Sequence, residues 1–156
     1  MKASPMTRST TRRLILGSTL AATLVLGACA TATGPQFSAL DAVATGQAHV
    51  YLYRKAALYA SGAAYEVAHN GKPVGKLFNA SYLVMPVAPG EQSFSVDERG
   101  LTSLKTFKVT AEAGKRYFVE YDSSKGMLLG LGLLSGSAAK GEAEALADLK
   151  ELKRAQ

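Results

Sequence analysis

The chain has 156 residues and one cysteine, Cys29, so no intramolecular disulfide can form whatever the redox compartment. A formal net charge of +6 invites a nucleic-acid reading, but Lys2, Arg8, Arg12 and Arg13 all precede the first acid, Asp41; beyond them, fourteen cations face twelve acids. These alternate along the sequence without a basic block, which excludes the electrostatic footprint of a nucleic-acid binder.

Residues 1–28 carry the pattern of an export signal. A basic stretch ends in Arg12-Arg13, an apolar stretch runs from Leu14 to Leu26, and Gly27-Ala28 precede Cys29. The arginines hold the N-terminus on the cytoplasmic side, and the apolar stretch enters the bilayer but is shorter than the ~20 residues of a permanent span. Leu26-Gly27-Ala28-Cys29 resembles the lipobox of bacterial lipoproteins, which predicts cleavage before Cys29 and lipid on its thiol. Met6 is an alternative start to Met1, since Met6-Thr7-Arg8 onward is itself a complete signal. Thr11 to Leu16 carries a faint twin-arginine likeness without its aromatic, so the general secretory route is expected. Ala30 stands where an Asp commonly retains such proteins in the inner membrane; the resemblance therefore implies the outer membrane, periplasmic face. With more than one acyl chain, attachment is firm. Residues 29–46 read as the lipidated cysteine and a flexible tether, since Ala30 to Gly46 are small and polar with little periodicity.

From Gln47 the pattern alternates with period two, as antiparallel strands require. In His49 to Tyr53 the tyrosines and aliphatics fall on opposite faces. Ala64 to Ala68 and Val74 to Phe78 flank Asn70-Gly71-Lys72-Pro73, a hairpin signal because Asn and Gly accept positive φ. Tyr82 to Val87 and Gln92 to Asp97 around Pro89-Gly90 predict a second hairpin, and Leu101 to Thr110 and Arg116 to Asp122 around Ala113-Gly114-Lys115 a third. Seven strands at this spacing make a small antiparallel β-sandwich. Ser137 to Ala155, with Leu146, Leu149 and Leu152 on one stripe, predicts a C-terminal amphipathic helix with acids early and bases late. The expected organisation is thus a signal peptide over 1–28, a tether over 29–46, and a mainly β domain with a terminal helix over 47–156.

Tyr51-Leu52-Tyr53-Arg54, Asn70-Gly71-Lys72, Val74-Gly75, Leu77, Asn79, Tyr82, Pro89-Gly90 and Ala113-Gly114-Lys115 with Tyr117 occur in an order that resembles the bacterial lipoprotein domain of unknown function 2846. The resemblance runs from about Gln47 to Tyr121 and implies a periplasmic β-sandwich with no established activity.

No reading of the residues points to catalysis, and none points to a metal or cofactor. The two histidines, His49 and His69, are not spaced as metal ligands, and no glycine-rich loop links a strand to a helix as phosphate binding needs. Asp97-Glu98 and Glu120-x-Asp122 are adjacent acids of the kind usually found exposed. Arg54 ends an apolar strand where a guanidinium can hold an anion; the commoner role is pairing with Glu66 or Glu120 at the rim. Tyr51 and Tyr53 are candidates for stacking on a glycan, against the commoner role of cross-strand packing. Leu129, Leu131 and Leu133, interleaved with Gly130 and Gly132, share one face if extended; this face either seals the sandwich under the helix or receives a partner. The expected function is a lipid-anchored envelope module whose partners are the membrane and other envelope proteins or peptidoglycan. The alternative is a periplasmic domain binding an envelope glycan or anionic small molecule.

Overall fold

The computed structural model describes residues 31–97, 104–122, 127–129 (backbone only) and 140–156. All seven expected strands form: β1 (Ala48–Arg54), β2 (Tyr65–His69), β3 (Lys72–Leu77), β4 (Ser81–Val87), β5 (Gly90–Asp97), β6 (Lys105–Ala111) and β7 (Arg116–Asp122). They are followed by β8 (Met127–Leu129), α1 (Glu142–Leu149) and β9 (Lys153–Arg154). One sheet has the order β8-β7-β1-β4-β9 and the other β3-β2-β5-β6, so the chain is a mainly β sandwich with a short C-terminal helix. No helix among the described residues is long and apolar enough to cross a membrane.

Alternation explains the layers. Val50, Leu52, Leu83, Met85 and Val119 of the five-stranded sheet meet Val67, Phe94, Val96, Phe107 and Val109 of the other across the main core. The residues between them on β1 point the other way. Tyr51 and Tyr53 join Tyr82 and Phe118 in a second cluster on the outer face, covered by Ala145 and Leu149 of α1, by Leu152 and by Phe37. The structure therefore has three layers: sheet, sheet, and a cover of helix and N-terminal segment.

The first hairpin forms as the sequence indicates. Asn70 and Gly71 have φ of 49° and 75°, the left-handed pair of a two-residue turn, and β2 pairs with β3 antiparallel. The second and third expected hairpins do not form. β4 pairs with β1 while β5 pairs with β2 and β6, so Pro89-Gly90 carries the chain from one sheet to the other; Gly114 does the same between β6 and β7. Turn residues fix a reversal of direction but not the hydrogen-bonding partner. Here both flanking strands present an apolar face, and those faces meet across the core instead of lying side by side. The sandwich is also not wholly antiparallel: β1 and β7 run parallel in the centre of the larger sheet.

The helix is shorter than its leucine stripe suggested. It ends at Leu149, and Leu152 is buried after the chain has left the helix. The next residues pair parallel with β4, where the Lys153 amide donates to Ala80 O at 3.2 Å and the Ala155 amide to Tyr82 O at 2.8 Å. An open sheet edge offers backbone partners that two more helical residues would leave unmet.

Residues 31–46 have the irregular backbone expected of a tether, yet they are docked. The Gly34 amide donates to Arg154 O (3.1 Å), the Arg154 amide to Pro35 O (2.8 Å) and the Phe37 amide to Leu152 O (2.9 Å). A Cβ at Gly34 would overlap the Arg154 carbonyl oxygen, so this close approach requires glycine. The reason for docking is the aromatic outer face: Phe37 packs edge-on against Tyr82 with ring centroids 5.6 Å apart, and is buried there. Phe37→Ala should therefore lower stability by about 3 kcal/mol in urea unfolding; a free tether would leave the midpoint unchanged.

Candidate functional site

Among the described residues, a dense group of ionisable side chains lies where α1 crosses the outer face of the larger sheet. Tyr53 and Glu120 are register partners on β1 and β7 and so share a face. Lys140, Glu144 and Asp148 follow at spacings of four, and Lys55 stands just beyond β1. The Lys140 ammonium sits 2.6 Å from Glu120 Oε2, 2.7 Å from Glu144 Oε1 and 3.3 Å from Asp148 Oδ2. Lys55 Nζ reaches Glu120 Oε1 at 3.1 Å and Asp148 Oδ2 at 3.5 Å, while the Tyr53 hydroxyl donates to Asp148 Oδ2 at 3.0 Å. The Glu120 side chain is only 5 % exposed.

Burial and the facing carboxylates together hold the Tyr53 hydroxyl protonated far above its ordinary range. Burial alone would lower the Lys140 ammonium, but its bonds to Glu120 and Glu144 outweigh that and raise it. Both shifts move away from neutrality, opposite to what a general base requires. The central acids, Glu120 and Asp148, are matched by Lys140 and Lys55. The arrangement is a paired, hydrogen-bonded network whose chemical capacity is to fasten α1 to the sheet.

A second group fixes the N-terminal segment. Asp41 ion-pairs with Arg154, its amide donates to the Tyr51 hydroxyl at 2.8 Å, and its carbonyl accepts from Arg116 Nη2 at 3.0 Å. His49 lies beside these groups with Nδ1 buried and unbonded, and burial shifts its pKa downward, against the charged form.

The residues singled out from the sequence are placed as follows. Tyr51 and Tyr53 lie beneath the cover layer, Tyr51 stacked on Phe118 at 5.3 Å. Arg54 is 1 % exposed. Its guanidinium donates to the carbonyls of Ala60 (2.7 Å), Ala63 (3.0 Å) and Tyr59 (3.4 Å) and lies over the Tyr65 ring. It thus clamps the β1–β2 loop from inside, while Glu120, one of the two rim partners expected for it beside Glu66, bonds to the lysines. Leu129 falls on β8, whose backbone pairs with β7 at the sheet edge; Leu131, Leu133 and Cys29 lie outside the described residues. His69 Nε2 meets Gln92 Oε1 at 2.7 Å and its ring stacks on Phe94. Among the described residues no group of three His, Cys, Asp or Glu is arranged to hold a metal.

The sequence reading did not assemble the Glu120–Lys140 network. Its local signal was there: Lys140, Glu144 and Asp148 recur at spacings of four, a cation just before the helix followed by two acids on the same side. The cross-strand half, Tyr53 beside Glu120, depends on the β1–β7 pairing that turn residues did not reveal.

Two depressions adjoin these elements. One of about 140 Å³ is lined by Lys55, Ala56, Ala57, Glu120, Tyr121 and Asp122. The other, about 460 Å³ and open to solvent, lies against β3 between Glu66, Pro73, Lys76 and Gln156.

Breaking the network from one side leaves Lys140 with a neutral neighbour in place of a carboxylate. Glu120→Gln should cost on the order of 3 kcal/mol in urea unfolding, and Glu120→Leu combined with Lys140→Leu should recover most of it. Equal losses for the single and double variants would contradict a buried ion pair.

A comparison with curated proteins finds no match. A family model described as "Protein of unknown function (DUF2846)" matches residues 44–131, from just before β1 through β8, the framework that carries Tyr53, Arg54 and Glu120. The chain belongs to that family.

Proposed function

We propose that this protein is a lipid-anchored component of the bacterial cell envelope, held by lipid on Cys29 at the periplasmic face of the outer membrane. Its β-sandwich serves there as an interaction or structural module rather than a catalyst. The anchoring half rests on Leu26-Gly27-Ala28-Cys29 after a basic and an apolar stretch. The module half rests chiefly on one observation: the side chains best suited to hold a ligand are spent inside the fold. Arg54 holds loop carbonyls, Tyr51 and Tyr53 are covered by the helix layer, and Glu120 is bonded to two lysines.

The competing reading, a binding domain for an envelope glycan or anionic small molecule, has less support. The depression beside Glu120 is below the ~300–1,000 Å³ of ordinary ligand sites, and the wider one on β3 is open. Partners are accordingly sought at surfaces: the membrane, other envelope proteins or peptidoglycan.

Cys29→Ser tests the anchor. In a Gram-negative host the variant should lose the lipid mass and leave the membrane fraction, whereas unchanged membrane association would overturn the assignment.

A further inference from the structure

Among the described residues four large apolar side chains are strongly exposed, and three of them stand at one end of the sandwich. Leu58 (98 %) and Tyr59 (55 %) form the tip of the β1–β2 loop, and Leu104 (61 %) immediately precedes β6. Strand registers place them together. β1 ends with Arg54 opposite Ser81, where the loop departs; β2 starts there, with Glu66 opposite Asp97, and Val96 pairs with Lys105 next to Leu104. The other end carries the Asn70-Gly71, Pro89-Gly90 and Ala113-Gly114 turns, which expose small and polar residues.

The loop tip is held in place. Arg54 binds three of its carbonyls from within, the Ser61 amide donates to Leu58 O (3.3 Å), and the Ala63 amide donates to Ala60 O (3.0 Å). The Ala57 amide donates to Asn79 Oδ1 at 3.0 Å. A buried arginine thus fixes the backbone of a loop whose tip holds Leu58 and Tyr59 out in water, where their own side chains bury little surface in the isolated domain.

The same Asn79 forms a backbone bridge with Thr31. Thr31 is two residues after Cys29, and two residues span at most ~7 Å. With residues 31–37 docked along β9, little free chain separates the lipid attachment point from the loop tip. Lipid on Cys29 would bring this end of the sandwich to the bilayer, so the nearest apolar phase to Leu58 and Tyr59 is the membrane itself.

From this juxtaposition we infer that the 58–59 loop tip, with Leu104 beside it, is a membrane-contacting surface that inserts into the bilayer interface next to the lipidated cysteine and fixes the orientation of the domain. The inference rests on the lipid-anchor reading. A Tyr fits the headgroup level and a Leu the acyl boundary. Lys55 and Lys153 stand at this end among acids such as Asp97 and Asp122, so apolar contact rather than charge carries the interaction. The opposite face of the domain is then turned toward the periplasm and left open to envelope partners.

The chain has no tryptophan, so Tyr59→Trp introduces a single reporter, with Ala113→Trp as its counterpart at the far end. Each full-length variant is purified from membranes, weighed for its lipid, and reconstituted in phosphatidylethanolamine–phosphatidylglycerol vesicles containing acyl-brominated lipid. The reporter at 59 should be blue-shifted, shielded from iodide and strongly quenched by the brominated chains, while that at 113 stays iodide-accessible and unquenched. A lipid-bearing protein whose two reporters behave alike overturns the membrane contact and leaves the anchor standing. A protein without lipid overturns the anchor and the inference together. Shielding at 59 that appears only when envelope proteins are added, with no quenching by lipid, assigns the tip to a protein partner and also overturns the inference.

Discussion

Every residue of β1 is buried, and the rest of the structure follows from that constraint. Val50 and Leu52 face the second sheet while Tyr51 and Tyr53 face outward, so the larger sheet is apolar on both sides and must be covered twice. A two-layer sandwich covers it once. The second cover is assembled from both ends of the domain, with Phe37 from the N-terminal segment and Ala145, Leu149 and Leu152 from the C-terminal one. Several polar groups at its margins are paired, Tyr53 with Asp148, Tyr51 with the Asp41 backbone and Glu120 with Lys140, while His49 Nδ1 is not.

This double burial also accounts for how the conspicuous residues are used. An arginine at the end of an aromatic strand looks available for an anion, but the buried guanidinium of Arg54 is met by the carbonyls of the β1–β2 loop. The tyrosines that look like a stacking face become the floor of a core. What the described residues leave outside therefore includes apolar tips at one end, which suits contact with surfaces.

Much of this was legible in the sequence. Period-two alternation located β1 to β7, and the split of His49 to Tyr53 into an aliphatic and an aromatic face held because strand geometry alone dictates it. Asn70-Gly71 identified its hairpin because both residues must adopt positive φ. Pro89-Gly90 and Ala113-Gly114 encoded reversals but not partners, since the choice between neighbour and opposite sheet is made by apolar faces far apart in sequence. The docked 31–46 segment was the least legible, because its small, polar residues carry no period and it is placed by scattered single contacts, those of Gly34, Phe37 and Asp41, with groups distant in sequence. The helix end was obscured for the opposite reason: Leu152 continues a helical stripe but is buried by leaving it.

The central claim is that the outer aromatic face is closed by the two chain ends together. Amide hydrogen exchange on the intact protein measures this directly at Gly34, Phe37, Arg154 and Ala155, whose amides donate to Arg154 O, Leu152 O, Pro35 O and Tyr82 O. The account predicts that all four are protected and open together with α1. Exchange of Gly34 and Phe37 at the rate of an unstructured peptide, with Ala155 and α1 still protected, would contradict it.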